Sequence, residues 1–211
     1  MDRSDSDLSG REEIASGDQR PAAQVSGAGA YAASPEGRAA KGTTHGNMVV
    51  RLADDSEADY CAGVYLARES HQNTIFRDIP FSEEKAHAIF DKATAQPNRF
   101  GLIYAVPSGG GSLAEDGLYG FASVHAGEYF LGSGTLVATV QTLNISRNLS
   151  GKLLGGKVAL RLMKAIRLWA KERGCSHILV HVTNGMSVSE SDQFFRRCGL
   201  NTVGGNYVAA I

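Results

Sequence analysis

The chain has 211 residues, is 43% apolar and carries a formal net charge of −1. That length suits one ordinary domain with a proper core, and near-neutrality argues against a protein built for bulk nucleic-acid binding. The three cysteines, Cys61, Cys175 and Cys198, are odd in number and far apart, so neither a disulfide framework nor a zinc cluster is expected, and a reducing cytoplasm is the simple reading.

No apolar run approaches the roughly 20 residues of a membrane-spanning helix. The acidic, polar first residues do not read as a secretory signal. Residues 1–47 are rich in Gly, Ala, Ser and charge, with Tyr31 as their sole aromatic. Such a segment buries too little apolar surface to offset chain entropy and reads as a disordered tail, able at most to order against a partner. The folded part begins at Met48.

From there the elements follow one another. "MVVRLA" is a strand. Asp54 or Asp55 can cap a helix that runs to about Ser70, with Ala58, Cys61, Ala62, Tyr65 and Leu66 on one face. "HQNTIFRDIP" is a loop, and Ser82 opens a second helix to about Ala95. Strands follow at "RFGLIYAV", "LYGFASVHA" and "TLVATVQTLNIS", then a helix from about Gly156 to Arg173. The chain closes with a strand at "HILVHVT", a short helix over residues 189–198 and a last strand around "NYVAA". Three strands on short loops predict an antiparallel meander, and strand–helix–strand predicts a parallel crossover. The fold class is α/β, with a mixed, mostly antiparallel sheet and flanking helices.

The segment "SGKLLGGKVALRLMKAIRLWAKERG" carries the chemistry. Ala159, Leu162, Met163, Ile166, Trp169 and Ala170 share a helix face, so the helix is a packed crossover and Trp169 is core. Between Arg147 and Arg173 stand eight Lys or Arg and one acid, Glu172. Cations at a helix start oppose the macrodipole. Lys152 and Lys157 sit there, and a bound anion would relieve the conflict; the alternative is a solvated basic face. Gly151, Gly156 and Lys157 also fit a Walker A frame, but Val158 stands where Ser or Thr would hold Mg²⁺. A nucleotide triphosphatase is therefore not the reading.

From Met48 onward the order of elements, with "LGGKVALRLMKAIRLWAKERGCSHILVHVT" and "FFRRCGL", resembles the GCN5-related N-acetyltransferases, above all the small members encoded by bacteriophages and prophages. The resemblance implies an acetyl-CoA pyrophosphate over Leu154, Gly155, Gly156, Lys157, Val158 and Ala159, with Lys152 or Arg147 within reach. It implies backbone contacts at a splayed strand around Leu143 and Ile145. Asn184, with Gly185 a strand-ending turn, is a possible pantetheine contact. Acetyl-CoA is then the co-substrate, an amine the acceptor, and no metal is called for. The acceptor groove falls to "HQNTIFRDIP" and "GEYFLGSG".

The sequence departs from the family at three places. Leu154 replaces a leading Arg or Gln. Phe195 replaces a tyrosine that often protonates the leaving thiolate, and it has no hydroxyl. "LVATVQTLNIS" lacks the frequent glutamate base, with Thr139 and Gln141 at the corresponding positions. Replacement acids or bases among the polar residues nearby are His125, Glu128, His181 and Tyr207. The other reading is a non-catalytic interaction or structural protein on the same scaffold, such as a virion component held by its tail. A homodimer is a further expectation.

Overall fold

The computed structural model describes residues 48–108, 117–181 and 188–204. The expected tail, Asn184, Tyr207 and the expected last strand lie outside the described residues. In chain order the elements are β1 (Met48–Leu52), α1 (Glu57–His71), α2 (Glu83–Ala95), β2 (Phe100–Pro107), β3 (Gly120–Glu128), β4 (Leu136–Ile145), a 3-10 turn (Arg147–Leu149), α3 (Leu153–Glu172), β5 (Cys175–Val180) and α4 (Val188–Arg197). The sheet runs β1-β2-β3-β4-β5. Strands β1 to β4 pair antiparallel, and β5 joins β4 in parallel across α3, as the meander and the crossover required.

Strand alternation sends side chains to two separate cores. One face of β2 gives Leu102, Tyr104 and Val106, which pack under α1 and α2 with Ala62, Leu66, Phe90 and Phe121. The other gives Ile103 and Ala105, which pack with Ala122, Val124, Ala138 and Val140 beneath Val158, Leu162, Met163, Ile166 and Trp169 of α3. The α3 face read from the sequence is thus the buried one. The face read for α1 is rotated: Asp59, Ala62 and Leu66 are buried, while Cys61 is exposed and Tyr65 is 71% exposed.

A buried ion pair causes that rotation. Asp59 is 1% exposed and accepts both Arg51 guanidinium N–H groups, at 2.5 and 2.6 Å, and the Asp54 amide at 2.8 Å. The carboxylate is thereby fully paired, which burial of a charge demands. It joins β1 to α1 and turns the helix so that Ser56, not Asp54 or Asp55, is the N-cap; its Oγ accepts the Asp59 amide at 3.3 Å. One turn on, Gly63 leaves room for the Tyr104 hydroxyl, since a Cβ there would lie 2.0 Å from it. That hydroxyl donates to the Asp59 carbonyl at 3.1 Å, and burial pushes its pKa upward.

Asp59→Ala takes from Arg51 its two short charge-assisted bonds and leaves it Asp54 at 3.8 Å; losing such bonds costs about 3 kcal/mol. For a domain of this size the expected fall in Tm is roughly 6–12 °C, read by calorimetry; a fall under 2 °C would show the pair to be incidental.

Candidate functional site

Strand β4 changes its parity halfway along. Ala138 and Val140 face α3, and so do Leu143 and Ile145. The register with β3 slips at the same place: Val124 pairs Val140, but Ser123 pairs Thr142. Gln141 is the extra residue of a β-bulge, and its Oε1 accepts the Ser123 hydroxyl at 3.2 Å. A bulge bends its strand and sharpens the twist. Among the described residues the pairing with β5 runs as far as Val140 with Val180, followed by one bond from the His181 amide to the Val140 carbonyl at 3.3 Å. Among the described residues, β4 beyond this point pairs with β3. The Ser146 amide donates to Tyr119 of the β3 side at 3.0 Å. By alternation, the main-chain groups of Leu143 and Ile145 turn to the opposite, open side.

The N-terminus of α3 faces this gap. Helices α1 and α2 each begin with a serine cap and carry acids in the first turn. Helix α3 has Lys152 at the cap position, no side-chain cap bond and no acid in its first turn. Its first backbone bond runs from the Gly156 amide to the Lys152 carbonyl at 3.2 Å. The amides of Leu153, Leu154 and Gly155 therefore have no partner within the helix.

The sequence reading placed Gly155 in a loop and began the helix near Gly156; both glycines are in the first turn. The chain reverses earlier, at Gly151 (φ 73°), and Lys152 is already extended, so Leu153 and Leu154, good helix formers, start the helix. The two glycines have different reasons to be small. A Cβ on Gly155 would lie 2.1 Å from the Leu149 carbonyl oxygen, so that position serves packing of the 3-10 turn on the helix. A Cβ on Gly156 would meet nothing within 4 Å, and this exposed residue opens on the cleft.

The basic run divides by task. Arg161 Nη1 donates to the Met48 carbonyl, Arg167 to the Cys198 carbonyl, and Arg173 to the Pro97 carbonyl while lying over Trp169. These hold the fold. Arg147, Lys152 and Lys157 remain exposed around the open helix end. The α1 carboxylate of Glu69 accepts the Arg147 amide at 2.7 Å, which ties the turn before α3 to the far side of the gap.

A cleft of about 1020 Å³ runs through the gap, from the start of α3 to the space between α1 and α2. Of the residues expected to meet the cofactor, Leu143, Ile145, Gly155, Gly156 and Ala159 line it, and so does Arg147. Lys152, Leu154, Lys157 and Val158 do not: Val158 is fully buried in the core and Leu154 packs against it. His181 lines the cleft where the strands part. His125 stacks on Phe100 with ring centroids 4.9 Å apart, and burial, then Arg99, lowers its pKa. Glu128 accepts the Gly134 amide at 3.0 Å. Neither His125 nor Glu128 is among the lining residues. Phe195 lines the cleft, and so does Ser191, which the sequence reading passed over. Ser191 is 6% exposed, and its Oγ has no hydrogen-bond partner among the described residues. Its one signal in sequence is its spacing, one helical turn before Phe195.

Among the described residues, no group of His, Cys, Asp and Glu is placed to hold a metal ion, and no helix is long and apolar enough to cross a membrane. No protein-family model and no curated protein matches the sequence. Solved structures do match by shape. A Trypanosoma brucei acetyltransferase is 13% identical with a TM-score of 0.56, covering 78% of this chain and 100% of its own. AAC(6')-Iy, in complex with the bisubstrate analogue CoA-S-monomethyl-acetylneamine, is 11% identical with a TM-score of 0.54, covering 78% and 97%. A Bacillus halodurans protein described as a transcriptional regulator is 17% identical with a TM-score of 0.58, covering 78% and 99%. The fold is that of the GCN5-related N-acetyltransferases, as the resemblance in sequence implied.

The two glycines separate by stability. Gly155→Ala forces a methyl into the Leu149 carbonyl, and the expected result is a Tm several degrees lower. Gly156→Ala has free space and gains helix propensity, about 0.5–1 kcal/mol, so its Tm holds or rises. Thermal melts that show the reverse order would contradict this geometry.

Proposed function

We propose that the chain is an acyl-CoA-dependent N-acetyltransferase, with the diphosphate of acetyl-CoA at the start of α3 and its thioester at the parting of β4 and β5. The observation that carries this reading is the uncapped N-terminus of α3, ringed by Arg147, Lys152 and Lys157 and open to the cleft at Gly156. A helix N-terminus with unpartnered amides favours an anion, and the missing acids and missing serine cap set this helix apart from α1 and α2. The space a Gly156 Cβ would occupy is free for phosphate oxygens.

Acetyl-CoA supplies an activated acetyl thioester. The residues present then have three tasks. The open main chain of Leu143 and Ile145 lies beside the gap and offers N–H groups for the pantetheine arm and the thioester carbonyl. His181, exposed where the strands part, is placed to take the proton of the incoming ammonium directly or through water. Phe195 leaves the thiolate without the usual phenol. The Ser191 hydroxyl, buried one turn away and without a partner among the described residues, is the available hydrogen-bond donor to the departing thiolate. As the C–N bond forms and the C–S bond breaks, the proton lost by the amine matches the one gained by the thiol. Alignment in the cleft supplies much of the rate.

Acetyl-CoA at 100 times its Kd would add about 2.7 kcal/mol of stability. A Tm rise of several degrees and a measurable heat of binding are expected; no heat at millimolar acetyl-CoA would end this reading. Ser191→Ala removes an unpartnered hydroxyl, so Tm should hold or rise. Loss of the hydrogen bond to the departing thiolate should lower kcat by about 10²-fold, the size of removing one donor that stabilises developing negative charge, with KM for acetyl-CoA unchanged. An unaltered kcat would exclude Ser191 from the chemistry.

A further inference from the structure

The half of the cleft beyond the parted strands lies between α1, α2 and the sheet. Its walls are mainly apolar, with Val64, Ile79, Ile89, Phe90 and Phe121 facing it among uncharged polar residues such as Asn73, Thr74 and Ser82. No Asp or Glu is among its described lining residues; the ionisable ones are Lys85, Arg147, His71 and His181, with the phenols of Tyr60 and Tyr104. His71 is already engaged, donating Nε2–H to the Ile79 carbonyl at 2.6 Å, a bond that folds the α1–α2 loop over the pocket.

The acids nearby are turned to other partners. Glu83 pairs with Arg68, Asp91 with His87, and Glu69 holds the Arg147 amide. Glu84 lies with Glu83 and Asp91 in a second hollow, between α2 and Tyr60 of α1. Apolar surface also continues outward from the mouth, where Ile79 is 58% and Ile89 45% exposed.

We propose that this half of the cleft takes an amine carried on an apolar body, an arylalkyl or alkyl monoamine, and discriminates against polycations; the proposal rests on the acetyltransferase reading above. One ammonium must lose its proton before it can attack, and an apolar wall with Lys85 and Arg147 nearby favours the neutral form. Desolvating that first amine therefore lies on the reaction path. Every further ammonium of a polyamine, an aminoglycoside or a lysine-rich peptide stays charged, and entry removes its water without supplying a carboxylate. The apolar body, in contrast, gains by leaving water. In the step itself, the amine nitrogen bonds to the acetyl carbon, the C–S bond breaks, and the products are the N-acetyl amide and CoA thiol.

The test measures thiol release by the full chain at saturating acetyl-CoA, with 2-phenylethylamine and octylamine against spermidine, kanamycin and a lysine-rich peptide. The expected kcat/KM for the two monoamines is at least 10²-fold higher. In Ile89→Glu, a carboxylate on the exposed rim should shift the ratio toward spermidine by tenfold or more. Calorimetry with 2-phenylethylamine alone separates the two claims. If it binds while acetyl-CoA does not, the pocket assignment stands and the enzymatic reading falls. If acetyl-CoA binds but polycations react as well as the monoamines, or 2-phenylethylamine neither binds nor reacts, the acceptor assignment is overturned.

Discussion

One constraint organises the molecule: β4 is bulged just past Val140, the last described residue it pairs with β5, and the helix that connects the two strands must begin beside that bulge. The bulge, at Gln141, lets Leu143 and Ile145 keep their side chains on the α3 core while the strand bends and twists more sharply. Gly151 and extended Lys152 set the helix start, because they turn the chain so that α3 points its unpartnered amides at the gap. An ordinary helix would satisfy those amides with a serine or an acid, as α1 and α2 do.

The rest of the structure supports that opening from two sides. Below it, Val158, Leu162, Met163 and Ile166 anchor α3 to the sheet. Above it, α1 is fixed by Asp59 with Arg51 and reaches back through Glu69 to the turn before α3. The cations within α3 are not one functional patch. Arg161, Arg167 and Arg173 tie distant main-chain carbonyls together, Lys164 and Lys171 lie exposed further along the helix, and Arg147, Lys152 and Lys157 stand at the open end.

Much of this was legible in the sequence, because period and composition report burial. The α3 stripe, the meander and the crossover follow from spacing alone. The α1 face was misread because a buried aspartate looks like a surface residue until its arginine is found on another element. The helix start was misread because a pair of glycines signals a loop, whereas here one packs against a carbonyl and the other leaves the cleft open. The bulge was present in "ATVQTLNI", where the apolar spacing changes from two to three, and Ser191 gave almost no signal because its burial depends on tertiary contacts. Shape likeness at 11–17% identity fixes architecture and reaches proteins described as acetyltransferases and as a regulator alike. Chemistry has to be argued from the site itself.

The most direct measurement follows backbone amides by ¹⁵N NMR while CoA is added. A diphosphate held at the α3 start should move the Leu153, Leu154, Gly155 and Gly156 amides first and furthest, with the Leu143 and Ile145 amides shifting alongside. Perturbations confined to other parts of the surface, with those six amides unmoved at saturation, would contradict the assignment of the cleft to CoA.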